Sequence, residues 1–286
     1  MKRFYIVFLL LINQVVFSQN EPLFTQFWNN YSLINPASTA LKTKHYANVQ
    51  LRKSFSEYGY NPNTISLQYE KSLPYYNSGI GGGYVFDARA QGSSNKLYLN
   101  LAYHIPLQNE NTINCGVSID YQYKTLNYIK PAAPPLISPL PKPSAISQGK
   151  FNVNFGIIYK TKKLQLGISL TQINQPDFDK LLLKNKRYFF ASASYEFGKG
   201  NNISYIPTLF YRSDFVLKAI ELNNLVKIKN IILLGFTIRP RDTYGFMLGV
   251  DFNEKFKLLY SYDLIAPAAF YDNKFHEVSM SFRINK

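Results

Sequence analysis

Apolar and polar side chains alternate with a period of two from Lys42 to the end of the chain. In KLYLNLAYH, Leu97, Leu99, Leu101 and Tyr103 fall on one face, with Asn100, Ala102 and His104 on the other. FNVNFGIIYK sets Phe151, Val153, Phe155, Ile157 and Tyr159 against Asn152, Asn154 and Gly156. KLQLGISLT does the same with Leu164, Leu166, Ile168 and Leu170 against Gln165, Gly167, Ser169 and Thr171. The chain closes on Val278, Met280, Phe282 and Ile284 opposite Ser279, Ser281 and Arg283. Successive side chains of a strand point to opposite sides, so each segment predicts a strand with one apolar face. Fourteen strands are expected, beginning near 43, 62, 79, 94, 112, 150, 162, 187, 203, 215, 230, 244, 255 and 275.

A continuous apolar face with a small or polar opposite face has two explanations. In a soluble sandwich it is the core; in a transmembrane barrel it faces lipid while the polar face lines the lumen. Many of the segments run to about ten residues, enough to cross a bilayer when tilted. Tyrosine recurs near strand ends, at Tyr69, Tyr103, Tyr159, Tyr188, Tyr211, Tyr244 and Tyr262, as in interfacial girdles. With the N-terminus in the periplasm, the tight turns near 161, 229 and 253 fall on the periplasmic side. The long connections 125–149, 172–186 and 264–274 then fall outside, the asymmetry of outer-membrane barrels. One short connection, at Ser213-Asp214, falls on the outer side, and a merged strand there would change the count. The expected fold is all-β: a transmembrane antiparallel β-barrel of about 14 strands, in the outer membrane, with both termini periplasmic.

Ahead of the first strand stands FTQFWNNYSLINPASTA, residues 24–40. Phe24, Phe27, Trp28 and Tyr31 are spaced i, i+3, i+4, i+7, one face of a helix, with Ile34 a step further. Asn20 suits its cap, Pro22 its first turn, and Asn35-Pro36 its stop. A short helix is expected at the periplasmic end, its aromatics inside the barrel base or against its rim. It either seals the barrel or docks a periplasmic partner.

Residues 1–18 combine Lys2 and Arg3 with the apolar run Phe4–Ile12 and a small-residue site at Ser18, a secretory signal peptide. That divides the chain into a leader (1–18), a periplasmic or plug segment (19–41) and a barrel (42–286). No later run of apolar residues is long enough for a transmembrane helix. The single cysteine, Cys115, excludes an intrachain disulfide and a cysteine metal site. Removing the leader takes the formal charge from +15 to +13, which suits acidic partners such as lipid phosphates or an acidic polypeptide. Export and the scatter of the lysines argue against nucleic acid. The proline-rich stretch 127–144 predicts an extended arm or a loop tip.

Strand parity places a set of charges inward at the outer ends: Arg52, Asp87, Arg89, Arg212, Arg239, Asp263 and Glu277. In a closed barrel the first strand pairs with the last, bringing Arg52 near Glu277 and Asp263. The set reads either as a structural ion-pair network or as a rim that fixes the outer loops or accepts a client segment. The sequence has no GxSxG, no HExxH and no paired Cys/His ligand set, and the three histidines, His45, His104 and His276, are dispersed. No catalytic residue, cofactor or metal is expected. GIGGGY (79–84) marks a bend or a close backbone approach.

FTQFWNNYSLINPASTA, VQLRKSFSEYGYNPNTISLQYE, LGFTIR, YSYDLIAP and FHEVSMSFRI, in this order, resemble the PorP/SprF family of type IX secretion system outer-membrane proteins. The chain departs from that pattern at Ala40, where the family usually has Gly, at Phe55 in place of Trp, and at Lys274-Phe275, where a Gly usually precedes His-Glu. The resemblance implies an accessory role in protein secretion. Such a barrel partners the secretion machinery, recognises the C-terminal signal domain of a secreted client and holds it at the surface, in some cases supporting adhesin display or gliding motility. The alternative of the same architecture is a channel or porin for small or hydrophobic solutes.

Overall fold

The computed structural model describes residues 24–55, 61–89, 92–127, 145–198, 200, 202–240, 243–265 and 274–285. The leader, Asn20, Pro22 and the loop at 128–144 lie outside these residues. Fourteen antiparallel strands close into a barrel, with no helix long and apolar enough to cross a membrane among the described residues. They are β1 (Thr43–Phe55), β2 (Asn63–Leu73), β3 (Ser78–Arg89), β4 (Gly92–Pro106), β5 (Thr112–Asn127), β6 (Ala145–Lys160) and β7 (Leu164–Thr171). They continue with β10 (Tyr188–Tyr195), β11 (Ile203–Ser213), β12 (Lys218–Ile228), β13 (Ile232–Arg239), β14 (Thr243–Phe252), β15 (Phe256–Ile265) and β16 (Lys274–Asn285). A two-stranded hairpin, β8 (Asp177–Phe178) with β9 (Leu183–Lys184), sits in the long connection between β7 and β10.

Neighbours in sequence are neighbours in the wall, and β1 pairs with β16 to complete the ring. The strand starts match the alternation closely; the largest offset is β6, which begins at Ala145 rather than near 150. The short connection after Ser213 is a true turn, so the count of fourteen holds. Its Asp214 carboxylate accepts from the Val216 and Leu217 amides at 3.0 and 2.5 Å, tying back the two strands it joins. At the opposite end, the turns at Lys229-Asn230 and Asn253-Glu254 carry positive φ at both central residues. That conformation suits a tight hairpin, and the strands rejoin after three residues, Ile228 opposite Ile232 and Phe252 opposite Phe256. The three longest connections, 128–144, 172–187 and 266–273, all leave one end of the barrel, the loop end, which also carries the short ones at 90–91, 214–217 and 240–242. At the other, the turn end, where β1 begins and β16 ends, no connection exceeds seven residues.

Burial is inverted relative to a soluble protein. Leu99 is 63 % exposed, while its neighbour Asn100 is 5 % exposed. Along β4 the outward Leu97, Leu101 and Tyr103 are likewise exposed, and the inward Lys96, Tyr98, Ala102 and His104 are buried. A sandwich requires the reverse, so the apolar face is the lipid face.

Inside the ring lies the N-terminal segment. A 3-10 turn over Phe27–Asn30 runs into the single α-helical turn α1 (Tyr31–Ile34), and a second 3-10 turn follows at Pro36–Ser38. The helix is shorter than its aromatic spacing suggests. The amides of Thr25 and Gln26 donate to the Glu277 carboxylate at 2.9 and 2.8 Å instead of starting a helical turn. The segment also is not confined to the base or rim but spans the lumen, with Trp28 and Tyr31 toward the base. Thr25 lies beside Glu277 and Asp263, near the loop end, and Ala40 donates to Glu70 on β2 at the turn end. The chain therefore descends through the lumen and reverses into β1.

The wall makes room for it with glycine. A Cβ at Gly116 would overlap the Ala37 amide, and one at Gly156 would overlap the Asn35 side-chain oxygen. Both are inward positions on β5 and β6, where the descending backbone touches the sheet. The Gly81–Gly83 run also serves close approach, Gly81 to Thr39 and Gly83 to the Tyr98 ring. Ala40 has φ 53°, a left-handed conformation that glycine adopts without strain and alanine does not.

Trp28 is the only tryptophan and borders the lumenal cavity described below. In bilayers its emission should be quenched by acrylamide and be indifferent to brominated acyl chains. Strong quenching by the brominated chains would place the segment outside the barrel.

Candidate functional site inside the barrel

Closure of the ring sets the site. In the β1–β16 register Arg52 stands opposite Glu277, and both point inward. The Arg52 Nη1 bonds Asp263 Oδ2 at 2.7 Å, Glu277 Oε2 at 2.9 Å and Thr25 Oγ1 at 3.0 Å. Thr25 Oγ1 in turn donates to Asp263 Oδ2. Gln50 Nε2 donates to Glu277 Oε1 at 2.6 Å, and the guanidinium lies over the Phe275 ring, 4.3 Å from its centroid. Two carboxylates thus face one guanidinium. Glu277 is held further by Gln50 and by the Thr25 and Gln26 amides of the plug, and Asp263 by the Thr25 hydroxyl. Charged hydrogen bonds in a water-poor interior are strong when complete and costly when broken.

Below this clamp the plug divides into two sides. Its polar side is stitched to β1, β15 and β16. Asn30 Nδ2 donates to Gln50 at 2.5 Å and Asn48 Nδ2 to Asn30 at 2.8 Å, while Asn29 meets Ser279 at 2.9 Å and Lys257 at 2.5 Å. Its apolar side packs on β10 and β11, where Phe27 stacks on Phe210 with ring centroids 4.6 Å apart. Tyr188 and Phe190 complete this cluster, with Trp28, Tyr31 and Ile34 against it. Tyr31 also reaches Ser192 by its hydroxyl, at 2.5 Å. At the stop, Asn35 donates to the Ile168 and Ile157 carbonyls at 3.0 and 3.3 Å and accepts from the Ala37 amide at 3.1 Å. Pro36 follows in the next turn, where it opens the Pro36–Ser38 segment. Phe24 is buried and lines a pocket of about 40 Å³.

The seven charges predicted for one rim are sorted by the fold into separate groups. Arg52, Asp263 and Glu277 form the clamp. Asp87 holds Arg89 at 2.8 Å and accepts from Thr64 at 2.7 Å. Arg239 pairs with Glu221 at 2.5 Å, and Arg212 shares with Glu221, Lys96 and Asp120 the small pocket beside Phe24. Glu221 is the residue that the sequence reading missed, although parity along β12 points it inward. Glu70, which receives the Ala40 amide at 2.6 Å, was missed too. Its partner is a backbone group, which carries no side-chain signal. His104 bonds Asn114 at 2.9 Å in the lumen, and among the described residues no three His, Cys, Asp or Glu side chains gather as metal ligands.

The plug leaves the lumen unequal. On the side of the tight turns a cavity of about 610 Å³ lies between Trp28, Tyr31, Tyr46 and the wall, reaching turn residues Asn230 and Glu254. Its lining carries Lys227, Lys257 and Arg283 together with Glu70, Glu196 and Asp251; Lys227 pairs with Glu196 at 3.4 Å and Arg283 with Asp251.

The model of the type IX secretion system membrane protein family PorP/SprF matches residues 16–282. The chain belongs to the PorP/SprF family. Its fold recurs in outer-membrane barrels of very different sequence, which show the architecture alone. The Acinetobacter baumannii outer membrane protein Omp33 matches with a TM-score of 0.54 at 8 % identity, over 86 % of this chain and 100 % of its own. The Ralstonia pickettii toluene transporter TbuX gives 0.57 at 8 %, over 90 % and 94 %. The Pseudomonas putida toluene transporter TodX gives 0.53 at 11 %, over 88 % and 92 %. No curated protein matches the sequence. Barrel and family together put this PorP/SprF protein in the outer membrane.

Arg52→Ala strands two buried carboxylates, and removing one partner of a buried pair costs about 3–5 kcal/mol. The temperature at which the folded band converts to the unfolded one on gels should fall, and Trp28 should become more accessible to acrylamide. An unchanged midpoint would deny the clamp its role.

Proposed function

We propose that this barrel is an accessory of the type IX secretion system that binds a secreted client through its C-terminal signal domain. It holds that client for export and surface attachment, in the manner of adhesin display or gliding motility. Membership of the PorP/SprF family carries this reading. In this arrangement the leader (1–18) directs export, the tight turns face the periplasm, and the long loops face outward. The machinery meets the barrel from the periplasmic side and the client from the side of the loops.

A lumen occupied by the chain's own segment favours docking over conduction. The aromatic cluster and the Arg52 clamp would have to be undone before a wide pore could open. The inward charges of the loop end then act as the frame that fixes the loops on which a client rests. Catalysis plays no part in this role.

The tagged protein, recovered from membranes in mild detergent, should carry a surface protein with a conserved C-terminal domain. Deleting that domain from the client should abolish recovery. Recovery of the barrel alone, or a large stable conductance in planar bilayers without any client, would favour the channel for small or hydrophobic solutes instead. Arg52→Ala separates the frame from the contact: loss of client display at unchanged levels of folded barrel would mean that the cluster does more than brace the wall.

A further inference from the structure

The ionisable side chains of the barrel strands are sorted by sign. Every acidic residue on a described barrel strand, from Glu70 on β2 to Glu277 on β16, is buried, with its side chain on the inward face. The charged side chains on the outward face of the described barrel strands are therefore all basic, and three basic residues meet on two paired strands at the loop end. Lys53 of β1 stands in register with His276 of β16, and Phe55 with Lys274. On the other side, His276 pairs with Tyr262 of β15 and Lys274 with Leu264.

The setting of His276 is built rather than accidental. Its Nδ1 meets the Tyr260 hydroxyl at 2.7 Å, and Phe55 and Tyr262 hold the ring edge-on with centroids 5.1 and 5.0 Å away. In the tautomer where the phenol donates to Nδ1, the proton of the neutral imidazole sits on Nε2, where it is available to a ligand. Lys53 rests its ammonium over the Phe55 ring, 5.1 Å from the centroid. The same outward rows continue toward the middle of the wall as Leu51, Val278 and Met280, all exposed. A basic tier at the aromatic girdle, above an apolar wall of the same parity, has the layout of an anionic amphiphile: head at the girdle, chains along the wall.

We propose that Lys53, Lys274 and His276 form a binding site for the phosphate headgroup of a membrane lipid in the leaflet at the loop end. The lysines supply the charge and His276 a directed donor, while Tyr262 and Phe55 pack beside the headgroup. The cluster faces sideways out of the wall, so its ligand lies in the plane of the membrane rather than above the loops. Such a site would anchor the barrel's tilt and depth on the side where the loops work. The proposal rests on the membrane barrel and stands whether or not the client reading holds.

The protein purified in mild detergent is offered lipid A, its dephosphorylated form, phosphatidylglycerol or phosphatidylcholine, and bound lipid is counted by native mass spectrometry. The phosphate-bearing anionic lipids should be retained, and the dephosphorylated and zwitterionic ones not. Each lysine near a charged surface is worth roughly fivefold in affinity, so Lys53→Gln/Lys274→Gln should lower retention by about twentyfold or more. Lys218→Gln/Lys229→Gln removes the same charge elsewhere and should change nothing. His276→Phe keeps the ring packing and should weaken binding without lowering the unfolding temperature. Equal retention by the first double variant, or equal loss in the second, overturns the site. Full displacement of lipid by millimolar inorganic phosphate would make it a free-phosphate site and overturn the lipid assignment.

Discussion

The pairing of β1 with β16 is the constraint on which the rest of this molecule depends. A sheet of fourteen strands has two open edges, and in lipid an unpaired edge is prohibitively costly, so the first and last strands must meet. Their register places Arg52 opposite Glu277, with Asp263 one strand further. Three charges on a water-poor inner wall then need more partners than the strands provide. The plug supplies them through the Thr25 and Gln26 amides, so barrel closure and plug seating are one event energetically.

The plug is amphipathic across its short length, and the lumen wall is amphipathic around its circumference to match. Asparagines and a glutamine face β1, β15 and β16, while aromatic rings face β10 and β11. The inward aromatics Tyr188, Phe190 and Phe210 form an apolar patch of the lumen wall where Phe27 lands, separate from a second inward cluster of Leu225, Leu233 and Leu259. Small residues at Gly116 and Gly156 let the backbone of the segment lie on the sheet where it turns toward β1. Together these features leave a cavity of about 610 Å³ on the side of the turns.

Much of the fold could be read along the chain. Alternation depends only on the pleat, so strand number, face and order survive without knowledge of the tertiary structure, even to the short turn after Ser213. The trio Arg52, Asp263 and Glu277 was also legible, because parity and closure are both local rules plus one topological fact. Glu70 escaped because its partner is a backbone amide of the plug, which leaves no spacing in the sequence; Glu221, by contrast, meets Arg239 across the β12–β13 hairpin, a relation that strand parity and register both carry. The helix of residues 24–34 came out shortened because spacing reports which side chains share a face. It cannot report that a distant carboxylate will capture the first amides.

By itself, then, the sequence determined the class of the protein: exported, all-β, lipid-facing on one parity and polar on the other, with an aromatic segment in front. Those properties follow from side-chain period and composition, which act within a few residues. The tertiary structure alone decided that the segment runs down the lumen from the loop end. It also decided that the predicted charges divide into separate groups, and that the charged side chains on the outward face are all basic. Each of these depends on which strands become neighbours around a closed ring, and distance through space is not written in distance along the chain.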